Sequence, residues 1–447
     1  MNRLMRFINK GKQGLLDDET RYEINQLEFQ GLPKMKIGDA LWFAIRYDFH
    51  TDKRKLMAVM TDMISSLSFY VDEQGKNEVA FFWEKDNSRK DHIRWFEKVV
   101  KQVDGYVYVH PECNEKDKVE DEYSRLVDKY YNEAKAFSKQ WKKQIGHIKE
   151  LGYDRINYFI YTLQWHYVEY SVVRDILDKY DIHTFVCMCD AHATSSLLTQ
   201  YFNSQEVRTI TLTHAFFTEK WYYNCFSRYM LLYGESMYNQ AINCTEQSHD
   251  KFVICGNPRY IGSKIAKTLV LKHTGTWGIV LDAGVNSAAN LKLISIVLEI
   301  ACKENIKVIC KKHPSDSDIE LPEEVASRIE NIYCSETTVD EFQDMVDIAF
   351  FITSTVYSEF VMQLIPSFRL KVKNDNYSDI DWCCFESASE LENLLKQYCN
   401  NPVLLEEKMI KSRELLSNCN DIGGRYKEFI QNVNAKGFVE DLGEVSV

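Results

Sequence analysis

The chain has 447 residues, of which 45% are hydrophobic and 27% are charged, and its net charge is −12. This length fits two domains of about 200 residues each, and the composition is that of an ordinary soluble protein. The acidic balance argues against nucleic acid as the main partner, because phosphate backbones are bound by basic faces. No segment approaches the roughly 20 apolar residues that a membrane span needs.

The cysteines and the N-terminus indicate a cellular compartment. The thirteen cysteines include no CxxC pair, and several lie in apolar runs, where a free thiol behaves as a small hydrophobic residue. The N-terminus carries basic residues but no apolar signal segment. We therefore predict a cytoplasmic protein, with the inner face of the membrane as a further location.

The first 150 residues are predicted to be rich in helix, with strand-like runs at 77–83 and 105–110. Within this part, residues 88–103 form a helical pattern with an apolar face surrounded by Arg and Lys. Such a helix is able to lie on an anionic membrane surface, which gives a peripheral membrane contact. The commoner use of the pattern is a surface helix whose apolar stripe packs on the core.

From residue 151 the pattern changes to strands that alternate with helices, which predicts parallel sheets covered on both faces. A first series ends at GNPRY, and weak signals up to about residue 276 predict a linker before a second series begins. The predicted strands are 182–189, 207–213, 228–234 and 251–256 in the first series, and 277–284, 306–311, 331–334, 347–353 and 367–372 in the second.

We therefore predict an α/β fold of two doubly wound, Rossmann-like domains that face a cleft. The N-terminal domain covers 1–265, with 1–150 helix-rich and 151–265 α/β. The C-terminal domain covers 276–385, and helices follow over 386–447.

Polar residues follow several strands of the second series, where ligands of open parallel sheets bind. His313 and Pro314 follow the strand 306–311, directly after Lys312. Thr353, Ser354 and Thr355 stand where a strand ends and a helix begins, and helix N-termini with hydroxyl groups bind phosphate. The remaining candidates for this nucleotide and phosphate site are Gly284, Asn286, Ser287 and Glu359, the last as an acceptor for ribose hydroxyls.

Each of these residues also has an ordinary structural interpretation. Ser354 or Thr355 caps a helix in that interpretation, which is the commoner use of such residues, and His313 is a turn residue bonded to backbone. The positions taken together favour the phosphate site.

The first series offers its own candidates for proton transfer. Asp190 and His192 follow one strand directly, and His214 follows the next. A carboxylate beside an imidazole is the minimum for removing a proton from a hydroxyl. In the structural alternative, Asp190 caps the following helix and His214 is buried and hydrogen-bonded.

Several other chemistries lack their motifs. The sequence contains no GxxxxGK[ST] loop, no strand-linked GxGxxG, no HExxH, no clustered Cys and His, and no GxSxG. We predict no metal and no cofactor, and we interpret Asp316 and Asp318 as the start of a surface loop. Phosphate charge would be neutralised by helix ends, His313, Lys311 and Lys312.

The HP pair at 313–314 and the TST at 353–355 resemble motifs of bacterial GT-B glycosyltransferases that build surface polysaccharides. This group includes sialyl- and polysialyltransferases, capsule transferases and CDP-glycerol-using teichoic acid polymerases. Residues 209–259 also look like the second half of the N-terminal domain in this group. The resemblance covers about 180–400, by pattern.

The resemblance implies an inverting, metal-independent transfer from a nucleotide-sugar (CMP-, CDP- or UDP-linked) to a glycan or lipid-linked acceptor. It implies that His313 assists the leaving group, that Ser354 and Thr355 bind its phosphate, and that Asp190 or His214 is the acceptor base. The acidic DDG-like motif of some sialyltransferases is missing, since CDAH stands near that place. The sugar therefore stays open.

Two alternatives share the same layout. UDP-sugar 2-epimerases resemble the chain around THAFF and GNPR and use acid and base groups on both sides of one nucleotide-sugar. A non-catalytic GT-B subunit would bind a nucleotide or glycan without turnover, since fold does not fix function.

Overall fold

The structure is a computed structural model. It describes residues 18–41, 64, 67–76, 78–84, 90–110, 121–148, 152–190, 193–213, 226–334, 336–373, 375, 377–418 and 420–432.

The first sheet has seven strands in the order β1-β3-β2-β4-β5-β6-β7. Only β1 is antiparallel to its neighbour, and the other pairs are parallel. The strand order reverses between β2 and β4, which makes this the switch point of the sheet. The strands are β1 Tyr70–Gln74, β2 Val79–Phe82, β3 Tyr106–His110, β4 Thr184–Met188, β5 Arg208–Leu212, β6 Tyr229–Leu232 and β7 Phe252–Ile254.

The second sheet has six parallel strands in the order β10-β9-β8-β11-β12-β13. Counted from β8, this is the order 3-2-1-4-5-6 of a dinucleotide-binding sheet, with the switch point between β8 and β11. The strands are β8 Thr276–Val280, β9 Lys307–Lys311, β10 Asn331–Tyr333, β11 Ile348–Phe351, β12 Ser367–Leu370 and β13 Cys384–Phe385.

Helices cover the sheets, and many begin at a residue whose side chain caps them. Ser287 caps α8, and Thr338 forms a capping box with Glu341 at the start of α10. The helices are α1 Asp18–Asn25, α2 Ile37–Leu41, α3 Lys90–Val100, α4 Asp121–Ile145, α5 Gly152–Leu177, α6 Ala193–Ser204, α7 Glu235–Cys244, α8 Ala288–Lys303, α9 Glu323–Ala326, α10 Val339–Met345, α11 Val356–Met362, α12 Ala388–Cys399, α13 Pro402–Leu416 and α14 Ile422–Gln431.

The helix α14 follows the second domain in sequence but packs on the first. Its Tyr426 and Phe429 are buried with strand residues of the first sheet, and Tyr426 Oη donates to Gly256 O at 3.0 Å. Gly256 has φ +97°, and a Cβ there would lie 2.3 Å from Asn418 O, so this crossing of the chain requires glycine. The chain therefore passes between the two domains twice, through the segments 255–275 and 417–421.

The predicted fold class, two Rossmann-like domains of the GT-B type that face a cleft, is confirmed by these two sheets. The helix-rich first 150 residues also supply β1, β2 and β3 to the first sheet, so this part of the chain is built into the first domain. No helix of the described ranges is long and apolar enough to span a membrane.

Candidate active site

A cleft of about 1300 Å³ lies between the two domains. Its second-domain wall consists of residues that follow β8, β9 and β11, together with parts of α10 and α11. Its first-domain wall consists of residues of α3 and the segment 259–264. The cleft thus lies at the carboxyl ends of the strands and at the switch point of the second sheet, where open parallel sheets bind ligands.

Asp282 and Thr353 meet at this switch point. The carboxylate of Asp282 accepts from the backbone N–H of Thr353 at 3.1 Å and from the Thr353 hydroxyl. Thr353 therefore lines the cleft, but its hydroxyl is already donating within the protein. Asp282 was not among the predicted site residues, although it follows the first strand of its sheet and the same positional rule would have found it.

His313 ends β9 for a local reason and also reaches the cleft. Its Nδ1 accepts from the backbone N–H of Ser315 at 3.2 Å, and it thereby caps the short turn Pro314–Asp316. Because Nδ1 is an acceptor, the neutral imidazole carries its proton on Nε2. His313 is half-buried and lines the cleft with Pro314. The turn interpretation of His313 is confirmed, and its role toward a phosphate stays a prediction that its position in the cleft allows.

Lys311 and Lys312 are both buried beside His313, and each holds a loop. Lys311 Nζ donates to Cys334 O at 2.9 Å, and Lys312 Nζ donates to Ser317 O at 3.0 Å. Burial lowers the pKa of Lys311, against the opposing effect of nearby carboxylates. Both lysines belong to the lining of the cleft and supply positive charge there while they fix the loops around His313.

Ser354 and Thr355 line the cleft at the start of α11. The Ser354 hydroxyl accepts from Val356 N at 3.3 Å, and its carbonyl accepts from Tyr377 Oη at 3.1 Å. The helix that follows has only seven residues, so its dipole is short. Binding of a phosphate by the two hydroxyl groups stays a prediction.

Arg259 joins the two domains across the cleft. Its guanidinium lies 2.8 Å from Glu359 of α11 and 3.2 Å from Asp340 of α10. Glu359, the predicted ribose acceptor, is buried and lines the cleft, but its carboxylate pairs with Arg259. The sequence analysis did not name Arg259 as a site residue, because GNPRY was interpreted as the end of the first series and as part of the family resemblances.

Helix α3 forms the other wall. Phe96 and Val100 are buried against the first sheet, while Trp95 and Lys98 line the cleft. Lys98 Nζ donates to Arg259 O and lies 3.3 Å from Ser263 Oγ. The sequence pattern at 88–103 allowed either a helix on a membrane surface or a helix packed on the protein core. The structure shows the helix packed on the core. The apolar face that a membrane contact needs lies inside the protein.

The loop with Gly284, Asn286 and Ser287 does not belong to the lining of the cleft. The N–H groups of Gly284 and Val285 donate to Asp316 at 2.7 and 3.0 Å. Ser287 caps α8, and the Asn286 amide donates to Glu320 O. These groups are used to build the loop. Asp316 is buried as the acceptor of that loop, so its interpretation as a surface residue is wrong.

Asp190 is also used within the protein. It is 2% exposed, and one of its oxygens accepts from Ser227 N at 2.7 Å and from Ser227 Oγ at 2.8 Å. Burial raises its pKa, and the charge of Lys251 and the bonds from Ser227 oppose the rise. Asp190 holds the turn before β6 and is not part of the lining of the cleft. Among the described residues at the start of α6, Thr194 and Ser195 donate their N–H groups to Glu84 and not to Asp190.

Glu84 occupies the position at α6 that Asp190 was expected to fill. Its two oxygens accept from the N–H groups of Thr194 and Ser195 at 3.0 and 2.9 Å. His166 and Glu169 lie beside it, and these three are the group of potential metal ligands found among the described residues. Thr194 Oγ1 donates to Glu169 at 2.8 Å and lies 2.8 Å from His166 Nδ1, so the group is hydrogen-bonded as it stands. It lies outside the lining of the cleft.

Two predicted site residues, His192 and His214, lie outside the residues that the structure describes. The structure brings His313, Pro314, Lys312, Thr353, Ser354, Thr355 and Glu359 to one cleft.

No protein-family model matches the chain, and no curated protein matches it. Solved structures with a similar fold include a UDP-N-acetylglucosamine 2-epimerase from Rickettsia bellii, with a TM-score of 0.47 and 11% identity over 83% of this chain and 99% of that one. The glycosyltransferase of kitacinnamycin has a TM-score of 0.46 and 10% identity over 83% and 99%.

The structure of TarM has a TM-score of 0.40 and 14% identity over 58% of this chain, and the match spans 57% of the TarM chain. All these TM-scores lie below 0.5. None of the similarities therefore carries an argument about activity, and the assignment of a function depends on the residues of this chain.

Proposed function

We propose that the chain is a metal-independent glycosyltransferase that moves a sugar from a nucleotide-sugar to a glycan acceptor in cell-surface polysaccharide synthesis. The observation that carries the proposal is the charge of the cleft. Its lining residues include seven Lys and Arg against four Asp and Glu, in a chain with a net charge of −12. A basic cleft at a sheet switch point in an acidic protein favours a phosphate-bearing ligand.

The transfer needs two groups beyond binding. The acceptor oxygen attacks the anomeric carbon, the bond from that carbon to the phosphate oxygen breaks, and the acceptor proton goes to a base. A single displacement of this kind inverts the anomeric centre. His313, with its proton on Nε2, stabilises the departing phosphate, and Ser354 and Thr355 bind its oxygens.

Because the carboxylate of Asp190 is hydrogen-bonded to Ser227, we assign the role of acceptor base to His214. His214 follows β5 in the sequence, two residues after the strand ends at Leu212.

The test is a thermal-shift and calorimetric screen against CMP, CDP, UDP, GDP and their sugars, without added metal. A nucleotide at a hundred times its dissociation constant stabilises the protein by about 2.7 kcal/mol. We expect one nucleotide to bind and its sugar to be transferred when acceptor is supplied. A protein that binds none of them contradicts the proposal.

The fate of the donor then distinguishes transfer from the two alternatives. Conversion of the donor to its 2-epimer without any acceptor would show an epimerase. Nucleotide binding without turnover, unchanged by His214→Ala, would show a non-catalytic subunit. The identity of the nucleotide that binds decides among CMP-, CDP- and UDP-linked donors.

A further inference from the structure

The two walls of the cleft differ in charge. Among the described residues, the lining of the first-domain wall contains four cations and no carboxylate: Arg94, Lys98, Arg259 and Lys264. All four carboxylates of the lining lie on the second-domain wall, where three lysines nearly balance them: Asp282, Asp340, Asp344 and Glu359, with Lys272, Lys311 and Lys312. The net charge of the whole chain does not produce this asymmetry, since that charge is negative.

The four cations differ in how far the protein itself satisfies them. Arg259 pairs with Glu359 and Asp340, and Lys98 donates to a backbone carbonyl. The side chains of Arg94 and Lys264 are exposed and make no hydrogen bond or ion pair within the part of the chain that the structure describes. These two cations are available to a ligand.

Lys98 and Arg259 show that the wall is crowded with positive charge. Burial lowers the pKa of Lys98, and the charge of Arg259 lowers it further. An anion at this wall would relieve that repulsion. Trp95 also lines this wall, half-buried, with the Arg259 guanidinium 5.7 Å and the His92 ring 4.8 Å from its ring centre. It offers an apolar ring surface beside the charges.

The cleft also has room for a second ligand. A volume of about 1300 Å³ exceeds the roughly 300–1,000 Å³ of a pocket for a single small molecule. The donor phosphate in the proposed function lies at His313, Ser354 and Thr355, all on the second-domain wall. The basic first-domain wall is therefore left for the other substrate.

We infer that the acceptor is an anionic glycan, with carboxylate or phosphate groups bound by Arg94 and Lys264 and a sugar ring against Trp95. This inference rests on the proposed function, because it assigns the first-domain wall to the acceptor. A neutral glycan would leave this wall without a counter-charge.

The test measures binding of three probes to the full chain by calorimetry: hexagalacturonate as a carboxylated glycan, tripolyphosphate as a phosphate chain, and maltohexaose as a neutral glycan. We expect at least one anionic probe to bind about tenfold or more tightly than maltohexaose, and rising salt to weaken that binding. The stronger of the two anionic probes distinguishes carboxylate from phosphate acceptors.

Charge-neutral variants locate the binding. The double variant Arg94→Gln/Lys264→Gln should lose about tenfold in affinity for the anionic probe and keep its nucleotide affinity. The matched control is Lys101→Gln/Lys267→Gln, which removes the same charge at two exposed lysines outside the lining of the cleft. It should change neither affinity. Trp95→Ala should weaken hexagalacturonate more than tripolyphosphate.

Three results would overturn the inference: maltohexaose binding as tight as the anionic probes, no binding of either anionic probe, or a loss of nucleotide affinity in the double variant equal to its loss for the anion. The last result would indicate that the donor phosphate binds at the first-domain wall. Failure of the proposed function is recognised separately, because the anionic glycan would then bind at Arg94 and Lys264 while no nucleotide binds at all.

Discussion

The described polar residues at the carboxyl edges of the two sheets differ in whether they reach the cleft. At the first sheet, Glu84 and Asp190 follow β2 and β4 and are buried, with their oxygens bonded to N–H and hydroxyl groups of the protein. At the second sheet, His313, Ser354 and Thr355 follow β9 and β11 and line an open cleft.

This difference shows the limits of the rule that ligands bind at the carboxyl ends of parallel strands, here called the strand-end rule. The rule identifies the edge at which ligands bind, and both sets of residues satisfy it. At α6, however, the carboxylate of Glu84 already supplies the anion that a helix N-terminus attracts. A strand-end residue is a site candidate only when its hydrogen-bonding groups still reach the cavity.

The largest expected effect is at the second edge. We expect His313→Ala to lower the rate of transfer by about 10²–10⁴-fold, the contribution of one acid–base group. His313→Asn is the matched variant, because Asn also accepts from Ser315 N and keeps the cap. Both variants should lose activity, and only the Ala variant should lose the cap. Steady-state rates and urea unfolding check this, and an active Asn variant would show that His313 is only structural.

At the first edge the loss should appear in stability. Glu84→Ala leaves the N–H groups of Thr194 and Ser195 without an acceptor, which costs about 3 kcal/mol of unfolding free energy. Glu84→Gln keeps one acceptor oxygen and should cost about half as much. Urea unfolding measures both. A fully stable Glu84→Ala protein that has lost activity would place chemistry at the first edge as well.

The sequence predicted the cleft residues best where those residues are close neighbours in the chain. His313, Pro314 and the 353–355 hydroxyl groups were predicted because the strand, the turn and the helix start all lie within a few residues. The structure places all of them at the cleft. The two sheets were predicted for the same reason, since alternation of strands and helices is a local pattern.

The sequence was least informative where the partner is distant. Asp190 bonds to Ser227, 37 residues away, and Glu84 bonds to the start of α6, 110 residues away. No local pattern carries such pairs, so Asp190 resembled a base and Glu84 was not noticed. The helix pattern at 88–103 was ambiguous for a related reason: amphipathicity does not say which surface covers the apolar face.

A pair of substitutions at Asp190 tests its structural role with a smaller effect. Asp190→Ala leaves Ser227 N and Oγ without their shared acceptor, and we expect a loss of about 2 kcal/mol of unfolding free energy. Asp190→Asn keeps an oxygen that accepts both bonds and should be nearly as stable as the parent chain at acid pH. If Asp190 is the acceptor base instead, the Asn variant will be stable and inactive, which transfer assays detect.

The pH dependence of these stabilities gives the smallest signal. Burial raises the pKa of Asp190, so the folded chain holds this proton at a pH where the unfolded chain, with a carboxyl pKa near 3.9, has lost it. Stability therefore falls as the pH rises from the unfolded pKa to the raised folded pKa, and the deficit then stays constant.

Asp190→Asn lacks this titration, so its stability relative to the parent should increase across the same pH window and then level off. Urea midpoints of both proteins from acid to neutral pH measure the difference. A difference that is flat, or that decreases with pH, would mean that the bonds from Ser227 and the charge of Lys251 outweigh burial. The ionised carboxylate would then be the favoured state of Asp190 in the folded chain.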